Sequence, residues 1–215
     1  MGENQRVSWN WLRASYDEVA EKYETRFVDE LDGKPRDREL LDAFATHTTD
    51  PIIEVGSGPG QVGAYLRARG RHVIGVDLSA AMAARAATRL DAAVTADMHS
   101  LPFTDASAGG VVAFYSVIHA PRHELAGVVR EFARVLRPRG RLLFSAHEGD
   151  GLVEREEFLD EPVPFVATLF TLDELVAAAA SAGLDVRIAE RRPSYATESG
   201  TVRLYVEAVR PAVNG

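Results

Sequence analysis

The sequence predicts a doubly wound α/β domain, a mostly parallel sheet with helices on both faces, and three observations predict it. Short apolar runs of strand length alternate with segments of helical periodicity from Pro51 to Ser145, the pattern of parallel strands joined by helical crossovers. The first of these runs, Pro51-Ile52-Ile53-Glu54-Val55, meets a glycine cluster, as a buried strand does where it turns into a helix. After Glu148 the alternation breaks, and two strand-like runs, Leu184–Ala189 and Thr201–Val209, read as an antiparallel pair closing one edge of the sheet. The 215 residues suffice for one domain, divided into a helical segment at 1–48, an α/β core at 49–148 and a tail at 149–215.

Each element has its own signal. Leu12, Tyr16, Val19, Tyr23 and Phe27 recur at three- to four-residue steps and predict an amphipathic helix, which Asp32-Gly33-Lys34-Pro35 ends. A short second helix covers Arg38 to Ala45. Gln61 to Arg69 has helical spacing, His72–Asp77 is the second strand, and Ser79 caps an alanine-rich helix from Ala80 to Leu90. Ala92–Thr95 and Gly110–Phe114 are the third and fourth strands. Leu125, Val128, Val129, Phe132 and Leu136 mark one face of a helix stopped at Pro138-Arg139-Gly140, and Arg141–Ser145 is the fifth strand. Residues 149–164, with Asp150, Glu154, Glu156, Glu157, Asp160 and Glu161, read as an irregular, solvated lid whose charge favours a cationic or neutral ligand. A last helix runs from Thr171, its cap, to Ala182.

Composition removes whole classes of function. With 46% hydrophobic and 26% charged residues the chain is globular rather than disordered. Thirty-two acids against 24 Lys+Arg give a net charge of −8, the wrong balance for gripping phosphates, so no nucleic-acid partner is expected. Without cysteine there are no disulfides, thiolate metal sites or cysteine nucleophiles. No His/Asp/Glu spacing forms a metal site. No apolar stretch approaches the ~18 residues of a membrane span, and the first residues lack a signal-peptide pattern, so a cytoplasmic protein without membrane attachment is expected.

The chemistry concentrates at Glu54-Val55-Gly56-Ser57-Gly58-Pro59-Gly60, where the first strand becomes the first core helix. Glycines there let backbone approach a ligand closely and adopt positive φ, and strand carboxyl ends at the switch point of such a sheet are where ligands bind. Asp77, ending the second strand, suits two ribose hydroxyls and rejects a 2′-phosphate. Gly58, Gly60 and Gly63 also satisfy G-x-G-x-x-G, which leaves a nicotinamide dinucleotide in play. Glu54 argues the other way, since a carboxylate beside the turn repels a pyrophosphate and welcomes a cationic ligand. Asp97 and Met98, after the third strand, offer a carboxylate and an apolar side chain to an adenine amino group and ring face.

Residues 50–148 resemble the class I S-adenosylmethionine-dependent methyltransferases. The resemblance rests on Glu54-x-Gly56-x-Gly58-x-Gly60, Asp77, Asp97-Met98, Leu101-Pro102-Phe103 and Arg134-Val135-Leu136-Arg137-Pro138-x-Gly140, in that order. It implies a seven-stranded sheet with an antiparallel last strand at Thr201–Val209, and Tyr16-Asp17-x-x-Ala20-x-x-Tyr23 is similar to the helix that many small-molecule members fold over the cofactor as a cap. It further implies S-adenosyl-L-methionine as cofactor, held by Tyr16, Tyr23, Glu54, Gly56, Ser57, Gly58, Gly60, Asp77, Leu78, Asp97, Met98 and Tyr115, a small-molecule acceptor, and a monomer or homodimer.

Methyl transfer from a sulfonium is an in-line displacement in which positioning dominates, and a base is needed only for an acceptor that must lose a proton. The family's methyl group faces the ends of strands four and five, which makes His119 and His147 the catalytic candidates, with Glu148 holding His147 or binding an amine. His47, His72 and His123 fall elsewhere. In the tail, Arg203 is expected to pair with Glu198 across a hairpin and Tyr195 to pack, within Arg192-Pro193-Ser194-Tyr195-Ala196-Thr197-Glu198. Two further functions fit the same pocket: a nicotinamide-dependent oxidoreductase, disfavoured by having only Lys22 and Lys34, both outside the α/β core, and a cofactor-binding subunit without turnover.

Overall fold

A computed structural model describes residues 9–196, 198 and 200–212; Thr197, within the tail motif, lies outside them. The seven-stranded sheet has the order β3-β2-β1-β4-β5-β9-β8, built from β1 (Ile52–Val55), β2 (Val73–Asp77), β3 (Ala92–Thr95), β4 (Ala108–Phe114), β5 (Leu136–His147), β8 (Asp185–Arg192) and β9 (Arg203–Val209). Strands β1 to β5 pair in parallel, and β9 runs against both of its neighbours. The predicted fold class and its antiparallel last strand are therefore what the chain adopts.

Alternation along the strands divides the core into two layers, because successive side chains point to opposite faces. Ile53, Val55, Val111, Ala113, Leu142, Phe144, Leu204 and Val206 pack on one face with Val128 and Phe132 of α5 (Leu125–Val135) and Leu175 and Ala179 of α6 (Leu172–Ser181). Ile52, Val112, Leu143 and Tyr205 face the other way, against Leu41 and Phe44 of α2 (Pro35–His47) and Leu66 of α3 (Gln61–Arg67). The apolar stripe read from the sequence is fully committed, with Leu125, Val128, Val129 and Phe132 of α5 and Leu136 at the start of β5 all buried. Burying five such side chains contributes roughly 1.5–3 kcal/mol each.

Local chemistry sets the element ends. Pro35 opens α2 at a first-turn position that needs no amide donor, so this helix starts three residues before the expected Arg38. Ser79 caps α4 (Ala80–Ala86) by accepting from the Met82 amide at 3.1 Å, and the helix loosens into turns before Leu90. Thr171 and Glu174 form a reciprocal capping box on α6. Strand β5 begins at Leu136, earlier than expected, with Arg139 at positive φ carrying the chain through the Pro-Arg-Gly passage.

One expectation is corrected. Residues 149–164 are not irregular throughout: β6 (Leu152–Arg155) and β7 (Phe165–Thr168) form a separate antiparallel hairpin. The acids that dominate its connection masked the pattern, while Phe158 and Phe165 carry its packing through a stacked pair 4.8 Å apart. Among the described residues no helix is long and apolar enough to cross a membrane.

Candidate active site

The sheet order reverses between β1 and β4, and a cleft opens at the carboxyl ends of these strands and of β2 and β3. Its floor is the glycine turn. Gly56 (φ +68°) and Gly58 (φ +51°) both sit in the left-handed region. A Cβ on Gly56 would fall 2.2 Å from the Ser116 Cβ, so nothing larger fits between the turn and the end of β4.

Asp77 ties this turn to β2. Its Oδ2 accepts from the Gly58 amide at 2.8 Å and its Oδ1 from the Ser79 amide at 2.9 Å. Burial, with the neighbouring Asp17 charge adding, pushes the Asp77 carboxyl up to about 6 despite these bonds. Asp77, Leu78, Asp97, Met98, Gly56, Gly58, Tyr16, Tyr23 and Tyr115 all line the cleft, so the structure brings these expected cofactor residues together.

Glu54, Ser57 and Gly60 stand behind that lining. The Glu54 side chain is buried under α3, where Oε2 accepts from the Gly63 amide at 3.0 Å, and burial raises its carboxyl well above the usual range. The expected electrostatic welcome from Glu54 to a cationic ligand is thus corrected: it faces a helix start instead of the cleft. The case against a dinucleotide gains a firmer basis, because Glu54 occupies an N-terminal amide of α3 that a pyrophosphate uses in such folds.

The roof comes from two distant segments. Helix α1 (Trp9–Phe27) lays Leu12, Arg13, Tyr16 and Tyr23 over the cleft. Phe158, between β6 and β7, packs on Tyr16 and Tyr23 with ring centroids at 5.8 and 6.4 Å. Lys22 pairs with Glu161 at 2.6 Å, and Asp17 Oδ1 accepts from the Ser79 hydroxyl at 2.6 Å and the Ala81 amide at 3.1 Å, latching the roof to α4. The hairpin thus packs Phe158 against the Tyr16 and Tyr23 rings of α1. The cleft has a volume of about 80 Å³, narrow beside the ~300–1,000 Å³ of small-molecule sites.

The two catalytic candidates part company. His119 lines the cleft: its Nδ1 donates to the Val166 carbonyl at 3.1 Å, which leaves Nε2 to accept from the Tyr16 hydroxyl at 2.8 Å. Burial lowers it to about 4, so the ring is neutral at physiological pH. His147 is not part of the lining. It stacks on the Tyr115 ring (5.0 Å, 21°) and bonds Thr201 Oγ1 through Nδ1 at 2.9 Å. Burial first, then the Arg203 and Lys34 charges, lower it to about 4 as well. Glu148 does not hold it as expected; that carboxylate pairs with Arg191.

Tyr115 connects the cleft to a polar network behind it. Held at φ +54° by a bond from its amide to Ser145 Oγ (3.0 Å), it places its hydroxyl 2.9 Å from that of Tyr205. Tyr205 donates to the fully buried Asp37 at 2.7 Å, and Arg192 links Asp37 to Glu198. Arg203 lies 3.6 Å from Glu198, and Tyr195 packs on the Arg192 guanidinium at 3.9 Å, as the tail reading expected.

Sequence reasoning missed three features. Ser116 Oγ is buried on the cleft wall without a hydrogen-bond partner among the described residues; its place directly after strand four was the available signal. Phe158 and Phe165 were hidden in an acidic stretch. His99, two residues past Asp97, bonds that carboxylate through both its amide and its ring.

Comparison with known proteins agrees with this geometry. Residues 53–144 match the family model of a methyltransferase domain. A malonyl-(acyl-carrier protein) O-methyltransferase of Erwinia billingiae is 33% identical over 132 residues, 59% of this chain and 52% of that protein. The chain spans about half the length of that curated relative. Among solved structures, the fold is similar to a 1,6-didemethyltoxoflavin-N1-methyltransferase of Burkholderia thailandensis, solved with 1,6-didemethyltoxoflavin and S-adenosylhomocysteine, at TM-score 0.71 and 21% identity over 98% of this chain and 93% of that one. It is also similar to the (4+2) cyclase SpnF, at TM-score 0.68 and 20% identity over 94% and 95% of the two chains.

Proposed function

We propose that the chain is a class I S-adenosylmethionine-dependent methyltransferase, a reading supported by the family model matched over residues 53–144 and by the 33% identical relative, and that it binds S-adenosylmethionine in this cleft and transfers the methyl group to an oxygen or nitrogen of a small-molecule acceptor. The observation that carries the reading is the bonded unit of glycine turn and buried Asp77 at the sheet's switch point, with Asp97 beside it. The residues present fit the cofactor: Asp77 would accept from its sugar hydroxyls, Met98 would offer an apolar surface to its purine, and the Ser116 hydroxyl, without a partner among the described residues, would be free to bond its polar amino-acid end. When bound, the cofactor supplies an electrophilic methyl group on a sulfonium.

The protein's share is placement and dryness. Tyr16, Tyr23 and Phe158 close the cleft against water, and holding an acceptor in line accounts for roughly 7–11 kcal/mol of such a barrier. The aromatic roof and neutral His119 support a flat or apolar acceptor without a formal charge. His119 takes a proton from such an acceptor only after Tyr16 has released Nε2. His147, behind Tyr115, orients that ring and not the acceptor.

The test is transfer of a labelled methyl group from S-adenosylmethionine to a panel of phenols, heteroaromatic amines and carboxylates. Labelled product from uncharged aromatic acceptors supports the reading. Cofactor binding without transfer to any acceptor would instead point to a non-transferring member of the fold, the case that the likeness to a cyclase keeps in view.

A further inference from the structure

The carboxylate on the nucleobase side of the cleft has a partner that the proposed chemistry does not use. Asp97 Oδ1 accepts twice from one residue, from the His99 amide at 2.9 Å and from the His99 ring Nδ1 at 2.7 Å. The other ring nitrogen, Nε2, lies 2.9 Å from Glu124 Oε2, in the turn that leads into α5. Nδ1–H makes the hydrogen bond to Asp97, while Nε2 sits beside Glu124 as an ion-pair contact without hydrogen-bond alignment. Among the groups facing this ring are Asp97 from the loop after β3 and Glu124 from the turn before α5, with His123 3.5 Å from the second Glu124 oxygen. In keeping with that arrangement, His99 is raised above its ordinary value by Asp97 and Glu124, and Asp97 is held below its own by His99. With Oδ1 saturated from one side, Oδ2 of Asp97 receives no donor among the described residues, and Asp97 lines the cleft.

We propose that His99 is a positioning residue for nucleobase selection: by bridging Asp97 to Glu124 it fixes the Asp97 carboxylate and leaves Oδ2 as the oxygen open to an exocyclic amine. This rests on reading the cleft as a nucleoside site and assigns the selectivity to a residue outside the cleft's lining. A carboxylate locked in this way accepts from an amine and meets a ring carbonyl at the same position with its lone pairs opposed, so it rejects the 6-oxo base. A carboxylate free to rotate discriminates less, because it turns toward solvent when the donor is missing.

The experiment is a calorimetric titration of S-adenosylhomocysteine and of S-inosylhomocysteine, its 6-oxo counterpart, into wild type, His99→Ala and His99→Asn. Asparagine places an amide nitrogen where Nδ1 stood, so it keeps the donor to Asp97 while losing Glu124. Wild type is expected to prefer the adenine ligand by tenfold or more, an estimate from the cost of a lost charged hydrogen bond. His99→Ala is expected to lose about tenfold in affinity for the adenine ligand with the 6-oxo ligand little changed, and His99→Asn to recover most of the preference. Thermal melting without ligand establishes that each variant is folded. Equal weakening of both ligands in His99→Ala, an unchanged preference, or an asparagine variant that behaves like alanine would overturn the assignment. Failure of folded wild type to bind either ligand would instead remove the nucleoside reading beneath it.

Discussion

The floor of the cleft is held by backbone amides on carboxylates, and its roof by aromatic rings on one another together with the Asp17 latch to α4 and the Lys22–Glu161 pair. On the floor, Gly58 and Ser79 bond Asp77, Gly63 bonds Glu54, and His99 bonds Asp97, each carboxylate in or just after a strand of the sheet. In the roof, Tyr16, Tyr23, Phe158, Phe165 and His119 meet edge-on or stacked across segments more than a hundred residues apart. Hydrogen bonds to buried carboxylates are directional and costly to leave unmade, so the floor is held in one arrangement. Aromatic contacts are less exacting in geometry, worth about 0.5–1.5 kcal/mol per pair beyond area burial, so the roof tolerates rearrangement better than the floor does.

Substitutions separate the two regions. The largest effect belongs to Gly56→Ala on the floor: the added Cβ meets Ser116 and the left-handed backbone disfavours alanine. A cost of roughly 3 kcal/mol follows, seen as a melting-temperature drop on the order of 10 °C together with loss of cofactor binding. Next, Asp77→Ala leaves the Gly58 and Ser79 amides without their acceptor and removes the sugar's partner, so affinity for S-adenosylhomocysteine should fall about 100-fold by titration calorimetry. A fall of less than threefold would place the ligand elsewhere. In the roof, Phe158→Ala should raise the acceptor KM about tenfold while cofactor affinity stays within about threefold; equal losses in both would mean that floor and roof are not separable.

The smallest effect is confined to acid. His119 binds its proton near pH 4 in the folded chain and near ~6.5 when unfolded. The stability that comes from keeping this ring neutral is complete above about pH 6.5 and is lost as pH falls toward 4. Relative to His119→Asn, wild type should therefore melt progressively lower across that window, by ~1–3 kcal/mol at its foot. A difference in melting temperature that does not change with pH would contradict the buried, neutral ring.

The same contrast explains what could be read from the chain before the structure. The floor was legible because local rules set it: glycines at positive φ, acids at strand ends and alternating apolar runs need no knowledge of distant segments. Even so, the direction of Glu54 was not, since the competition between a cleft and the α3 amides is settled by packing. The roof was legible in part. The Tyr16 and Tyr23 spacing announced a helix, but its meeting with Phe158 depends on a hairpin that the acidic residues around it concealed. His99 and Ser116 gain their meaning only from neighbours at Glu124 and Gly56. Long-range contacts of this kind leave no periodicity behind.

The most direct test is a titration of S-adenosylhomocysteine into the folded wild-type protein near pH 7.5, with NAD as the competing ligand. The account predicts binding at one site per chain, undisturbed by a large excess of NAD. Folded protein that takes up NAD, or that gives no signal with the nucleoside thioether, would contradict it.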